Sequence, residues 1–468
     1  MTRATKRSTT RTMTGAALSL SLATSLLAAP ALAQTRPAVE PPTSAPRVER
    51  SDFALPNGLA VTLIPTGDIP KTTVQLVFRA GNVDEAASEV WLADLAGQLV
   101  QLGTDKLDAR AMDRTVAGWG GEITVDVRND STWIGGTVLG EFAPALIGLV
   151  GDLVQHPRFP ASELPRLRGD LVRELNLASS QPGQQANAKL AAAMYPDQAY
   201  GRFFPTEAAL RGYTLEQARA WFDRNLTARR AHLYVAGRFD AAAVERAIKE
   251  AFTAWPAGEP APAREVKPVT RRVIHFVERT GAVQSTLRLG LPVVAPGSPD
   301  YVPLTIMNAV LGGSFASRIT QNLREKRGYT YSPFAAVNVR DGDAYWAQNA
   351  DVTSAHTGDS IREVLKEIDL LRRTPPGADE LDAVKMGYVG RFIIRLGTRE
   401  GVLNWEQFAD FYGLPRDFDM VAAVQAVTAD DVRRMARKYI DPRRLTIVVV
   451  GDGKTVLPQL KGIARVAK

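Results

Sequence analysis

The 468-residue chain contains no cysteine and only four histidines. The first absence removes disulfides and thiolate metal sites, and it suits an exported protein that avoids oxidation hazards. The second narrows metal chemistry further, because His156, His232, His275 and His356 lie far apart and no two share a turn of helix. From Arg47 onward no apolar run reaches the roughly 20 residues that a membrane helix needs. A large cationic excess is missing too. The formal charge of +7 includes Arg3, Lys6, Arg7 and Arg11 of an acid-free N-terminal stretch, so the remainder carries +3 and gives no support for nucleic-acid binding. With 45% hydrophobic and 23% charged residues, the composition is that of a folded soluble protein rather than a disordered one.

The first residues have the layout of a secretory signal. The four cations precede GAALSLSLATSLLAA at 15–29, which is too short to span a bilayer, and Ala31-Leu32-Ala33 makes a small-residue cleavage box. Residues 1–33 are expected to be a signal peptide and 34–46 a proline-rich leader. The protein is expected in the periplasm, without a membrane span after cleavage.

What the chain does contain is a repeat. TLEQARAWFDRNLTARRAHLYVAG at 214–237 aligns without gaps to TADDVRRMARKYIDPRRLTIVVVG at 428–451. Each copy reads as a threonine N-cap, an amphipathic helix, an Arg-Arg pair and an apolar strand ending in glycine. The offset is about half the chain, too long for a solenoid unit and suited to a duplicated domain. WPAGEPAPAREVKP at 255–268, rich in proline, marks the linker between a first domain at 47–254 and a second at 269–468.

Both halves read as strands, one helix, more strands, then helices. Strands are expected at 59–65, 72–81 and around GEITVDVRND and STWIGGTVLG, with helices at 90–102, 142–155 and 162–177. In the second half, strands are expected at VIHFVER, QSTLRLGLPV, TYSPFAAVNVR and AYWAQNADVT, with helices at 301–311 and from about 360 and 378. This is an α+β arrangement, helices packed on an antiparallel or mixed sheet, in two halves that can face each other like a clam.

NLREKRGYTYS at 322–332 is the most polar stretch with chemical potential, and on composition alone it reads as a solvated helix end before a strand. Arg324 offers a permanently charged fork, and Tyr331 a phenolic donor. Strand alternation would put Tyr329 and Tyr331 on one face, so spacing does not choose between them. Gly312 and Gly313 suit either a helix C-cap or a loop needing positive φ and close approach. Ser317-Arg318 has no histidine base nearby in sequence and is expected to be structural.

The longer run LGGSFASRITQNLREKRGYTYS at 311–332, with GNVDEAASEVWLADLAGQLVQLGT at 81–104, resembles the M16 family of metallopeptidases (pitrilysin, insulinase, processing peptidase). AYGRFFPTEAAL at 199–210 is similar to that family's Tyr-Gly-Arg-Pro loop. The resemblance spans about Arg47 to the C-terminus and implies the two-domain clam-shell. In active members the first-domain helix carries H-x-x-E-H, two zinc ligands and a general base. Those places fall here on Asp94, Gly97 and Gln98, and the third ligand position falls near Glu174, so no metal is expected on this chain. The second-domain motif is intact. It implies that Arg324 and Tyr331 contact substrate carbonyls and the developing oxyanion, and that Gly312 and Gly313 help admit substrate. The implied function is that of a non-zinc subunit, inactive alone, which works with a homologous partner that holds zinc in H-x-x-E-H and takes unfolded peptides as substrate. An inert M16-like scaffold or peptide-binding protein of the cell envelope is the alternative.

Overall fold

The computed structural model describes residues 42–467, which belong to one compact unit. The expected signal peptide, and the leader up to residue 41, lie outside the described residues. The chain forms two six-stranded sheets. The first contains β1 (Ser51–Ala54), β2 (Ala60–Pro65), β3 (Lys71–Phe78), β4 (Glu122–Val127), β5 (Thr132–Leu139) and β6 (Ala231–Gly237), in the order β1-β2-β6-β3-β5-β4. The second contains β7 (Val273–Glu278), β8 (Gln284–Val293), β9 (Phe334–Arg340), β10 (Asp343–Thr353), β11 (Thr446–Gly451) and β12 (Arg465–Val466), in the order β12-β7-β11-β8-β10-β9.

Set aside β1 and β12, and the sheets have one topology. β2 runs parallel to β6 as β7 does to β11, and every other pair in the two five-stranded sets is antiparallel. The repeated helix–strand unit occupies the same place in both, each helix opened by a capping box, Thr214 with Gln217 and Thr428 with Asp431. The duplication inferred from the repeat is thus one of whole sheets.

β11, with sequence TIVVVG, is buried along its full length, a pattern that requires cover on both faces. One face of each sheet meets helices of its own half. The first core centres on Phe78, Leu99, Ile147 and Trp221, the second on Leu289, Met307, Trp346 and Val432. The opposite faces are covered reciprocally. Helix Pro182–Met194 of the first half lays Ala186, Leu190 and Met194 against Ala347, Val448 and Val450 of the second sheet. Helix Arg399–Phe411 returns the arrangement, with Val402 and Leu403 on Ile64, Val77 and Ala236. Neither helix was among the expected elements.

Polar contacts tie the seam. Arg50 pairs with Asp52 at 2.9 Å, Asp410 at 3.0 Å and Glu406, while Tyr234 donates to Asp410 at 3.2 Å. The 255–268 segment has no regular structure, as its prolines imply, but it is anchored: Trp255 is buried against Phe78 and Phe252, and Arg264 bonds Asp84 at 2.8 Å.

Candidate functional site

Helix Tyr301–Leu311 ends where Gly312 and Gly313 both donate their N–H groups to the carbonyl of Asn308, at 2.9 and 2.7 Å. Neither glycine has positive φ among the described residues, so the left-handed turn that a glycine pair permits is not used. Close approach is what demands glycine. A Cβ on Gly313 would stand 2.3 Å from Asn308 Nδ2, and one on Gly312 would stand 2.6 Å from Gln348 Oε1 and 2.8 Å from Ala335 Cβ. Asn308 is itself fixed, accepting from the Trp346 indole at 2.8 Å and donating to the carbonyl of Ala335 at 3.1 Å. A groove bordered by Gly313, Phe315, Phe334 and Arg391 opens beside this turn.

Ser317 and Arg318 are occupied structurally. Ser317 donates to Thr320 at 3.0 Å, and Arg318 forks onto Glu380 at 2.8 and 2.7 Å. After Thr320 the helix widens into a π-turn over Gln321–Lys326, a form frequent at functional sites, and Gly328 closes it with φ of 64°. Leu323 is buried beneath the turn. Asn322 donates to Glu363 at 2.9 Å and Glu367 at 2.6 Å, and Arg327 bonds Glu363 at 2.7 Å.

Arg324 is placed differently. Its guanidinium lies 4.5 Å from the ring centre of Phe315 and 4.7 Å from that of Tyr331, with Glu325 3.2 Å away. Phe315 is 67% and Tyr331 78% exposed. Two aromatic faces hold the planar cation by charge–quadrupole attraction, and Glu325 meets its Nε; the side chain is partly exposed, with its remaining N–H groups paired to no other carboxylate among the described residues. Phe315 was not singled out from the sequence; a large apolar residue between a glycine pair and Ser317 was its one signal.

The strand expected from Thr330 starts only at Phe334. Pro333 has no N–H to give the ladder, and before it only Thr330 makes a bridge, to Val352. Alternation therefore does not govern the two tyrosines. Tyr329 stacks on His356 at 4.2 Å, and Tyr331 turns to Arg324.

In the first half, helix Leu92–Val100 carries Asp94, Gly97 and Gln98. A Cβ on Gly97 would lie 2.6 Å from Val127 Cγ2, so the place of the family's general base is filled by β4. An amide, a glycine and two carboxylates do not make a zinc site. Glu174, on helix Leu164–Ser180, is exposed but close enough to act on Asp94. Burial first, and then repulsion from Glu174 and Asp126, lift Asp94 to about 6 although Asn82 donates to it at 2.7 Å. Glu85, which no sequence signal had singled out, is buried behind it. Its carboxyl is pushed up to about 8 by burial and by Asp94, against the pull of N–H groups from Ala93 at 2.8 Å and Trp91 at 3.0 Å.

The raised Asp94 has a consequence for stability. Its folded pKa exceeds the unfolded one, so the favourable contribution is present below about pH 4 and is lost as pH rises to about 6. Asp94→Asn keeps the bond from Asn82 and removes the charge. It is expected to raise stability by about 1–3 kcal/mol above pH 6 and to be near neutral at pH 4, read from urea midpoints across that range. Equal effects at both pH values would refute the assignment.

Family models match two stretches of the chain: "Insulinase (Peptidase family M16)" over residues 61–204 and "Peptidase M16 inactive domain" over 212–388, together more than half its length. Similar curated proteins include an uncharacterized zinc protease of Streptomyces coelicolor, 23% identical with 86% of this chain and 89% of that protein covered. Another, from Mycobacterium tuberculosis, is 23% identical over 86% and 94%. Among solved structures, a peptidase M16 inactive domain from Pseudomonas fluorescens superposes with TM-score 0.79 at 20% identity, covering 86% of this chain and 98% of that one. A protease from Helicobacter pylori reaches TM-score 0.79 at 17% identity, over 86% and 100%. These likenesses cover the paired sheets described above, and the chain therefore belongs to the M16 peptidase family, as a non-catalytic member without the H-x-x-E-H motif.

Proposed function

We propose that this chain is the exported, non-zinc subunit of a heterodimeric M16 metallopeptidase. The observation that carries the reading is Arg324 held between two exposed rings, Phe315 and Tyr331, on a chain whose first-domain helix has Asp94, Gly97 and Gln98 in place of the zinc motif. Two large aromatic side chains left this exposed on either side of one cation suit a surface that meets another molecule. The homologous partner would supply zinc and the water it activates. Substrate, an unfolded peptide, would lie as an added strand on a sheet edge of that partner, bound by main-chain hydrogen bonds.

This chain would bind and orient the scissile carbonyl. The Arg324 guanidinium and the Tyr331 hydroxyl donate to its oxygen, and their attraction grows as negative charge develops there. Neither group takes up a proton. Gly312 and Gly313, which lie against β9 through the bond from Ala335 N–H to Gly312 O at 2.8 Å, would border the path by which the peptide enters.

The test is co-purification with an exported homologue that retains H-x-x-E-H, followed by peptide cleavage by each chain alone and by the mixture. Cleavage confined to the mixture, and abolished by a chelator, is the expected result. A zinc subunit equally active without this chain would favour the scaffold reading, and chelator-sensitive hydrolysis by this chain alone would end the proposal.

A further inference from the structure

A cavity of about 510 Å³ lies at the seam of the two halves, with Trp91, Glu174 and Asn187 on one wall and Arg288, Arg340 and Tyr345 on the other. It differs from the surface around Arg324. Arg340 ends β9 and Tyr331 precedes its start, so roughly 20 Å of strand separates them, at about 3.4 Å per residue.

Arg340 is the unexplained group. It is only 8% exposed, yet its guanidinium makes no hydrogen bond among the described residues, and its Nη1 is buried without a partner there. Three tyrosine rings enclose it, Tyr195 and Tyr200 at 4.5 Å and Tyr345 at 4.7 Å. The neighbouring carboxylates are engaged elsewhere: Asp343 accepts from Tyr195 at 2.5 Å, and Asp130 accepts from Tyr200. Among the described residues no carboxylate oxygen comes within 4.0 Å of it. A buried guanidinium without a hydrogen-bond acceptor is costly, and ring faces offset only part of that cost.

Two further arginines line the same cavity without carboxylate partners. Arg288 donates to Asn187 Oδ1 and to the carbonyl of Leu287, both at 2.9 Å, and Arg202 donates to the carbonyl of Glu85 at 3.1 Å. Neutral acceptors fix these side chains, and burial lowers the pKa of Arg288 against the attraction of Asp351. The first-half wall is of another kind, rich in amides such as Asn82, Asn129, Gln184 and Asn187. Such groups pair with a peptide main chain. The volume lies in the range of small-ligand sites and far exceeds a bare phosphate.

We infer that the seam cavity binds a short peptide by its carboxylate, with Arg340 as the anchor, Arg288 and Arg202 as accessory cations, and the amide wall taking the main chain. The carboxylate comes from a peptide C-terminus or from an acidic side chain; the chemistry at Arg340 is the same. The site needs no zinc-bearing partner and does not depend on the function proposed above.

The experiment is calorimetric titration of the purified chain, without companions, with four probes: acetyl-trialanine, its C-terminal amide, acetyl-Ala-Glu-Ala amide, and inorganic phosphate. Saturable binding of acetyl-trialanine at least tenfold tighter than its amide assigns a terminal carboxylate; the same preference for the glutamate peptide assigns a side chain. Arg340→Gln and Arg288→Gln should each weaken that binding at least tenfold, and Lys106→Gln, a change at an exposed cation paired with Asp152 away from the cavity, should leave it unchanged. Should Arg340→Gln not fold, Arg288→Gln and Arg202→Gln give the same reading. The inference is overturned if neither carboxylate peptide binds better than the amide, if phosphate binds as tightly as the peptides, or if the cavity arginines are replaced without effect. None of these failures touches the role of Arg324, which is read by turnover with a partner.

Discussion

Arg324→Ala in the proposed heterodimer is expected to lower turnover by roughly 10²–10³, the usual loss when one donor to a developing oxyanion is removed. Heterodimer formation should persist, because the side chain carries none of the local fold: Leu323 buries the turn, and Arg327 and Asn322 tie it to Glu363. Arg324→Lys should recover little. A point charge on a flexible stem cannot lie flat between Phe315 and Tyr331 as the planar fork does. Two companion variants separate donation from stacking. Tyr331→Phe keeps the ring 4.7 Å from the guanidinium and loses only the hydroxyl, so a large fall in kcat assigns the donor role to oxygen. Phe315→Ala removes one face of the clamp and should cost only about 0.5–1 kcal/mol, a two- to fivefold fall. Unchanged kcat/KM in both Arg324→Ala and Tyr331→Phe would take this chain out of the chemistry.

Trp346→Ala is expected to destabilise the chain by about 3–5 kcal/mol, the range for truncating a fully buried large aromatic side chain. Trp346 is 0% exposed in the second core, and its indole N–H is the 2.8 Å donor to Asn308 Oδ1. Its loss therefore leaves a cavity and an unsatisfied buried acceptor together. Asn308 also sits where a Cβ on Gly313 would fall, so the glycine turn should loosen as well. Urea unfolding measures the first effect, and hydrogen exchange at Gly312 and Gly313 the second. A loss below about 1 kcal/mol would mean that the second core is not packed as described.

Both residues belong to the second half, whose use of the duplicated fold differs from that of the first. In the second half, the sheet and its first helix serve a surface on which an arginine is presented. In the first half, the corresponding helix carries Asp94 where a ligand would be, and β4 has closed over Gly97.

Elements whose apolar period reflects burial against their own half were legible. β8 and helix Tyr301–Leu311 appear at the residues expected, and the 214–237 and 428–451 units occupy matching places in the two sheets. Their signals are local: threonine caps, i and i+4 apolar spacing, and strand runs ended by glycine. Helix Pro182–Met194 was not legible for the opposite reason. Much of PGQQANAKLAAAM reads as polar or small, and the few side chains it buries meet a sheet of the other half, a partner no local window contains.

By itself, then, the sequence determined the duplication, the α+β class, the loss of the H-x-x-E-H residues, and the pairing of Arg324 with a tyrosine as candidates. The first two rest on residue identity and short-range periodicity, the last two on the resemblance to the M16 motifs. The resemblance had already favoured Tyr331 over Tyr329; the tertiary structure alone decided that the Tyr331 ring lies against Arg324, that Phe315 completes the clamp, that each half covers the other's sheet, and that Arg340 Nη1 lies buried without a hydrogen-bond partner at their seam. Each of those depends on which side chains become neighbours across long stretches of chain, and that is set by packing two sheets together rather than by any run of residues.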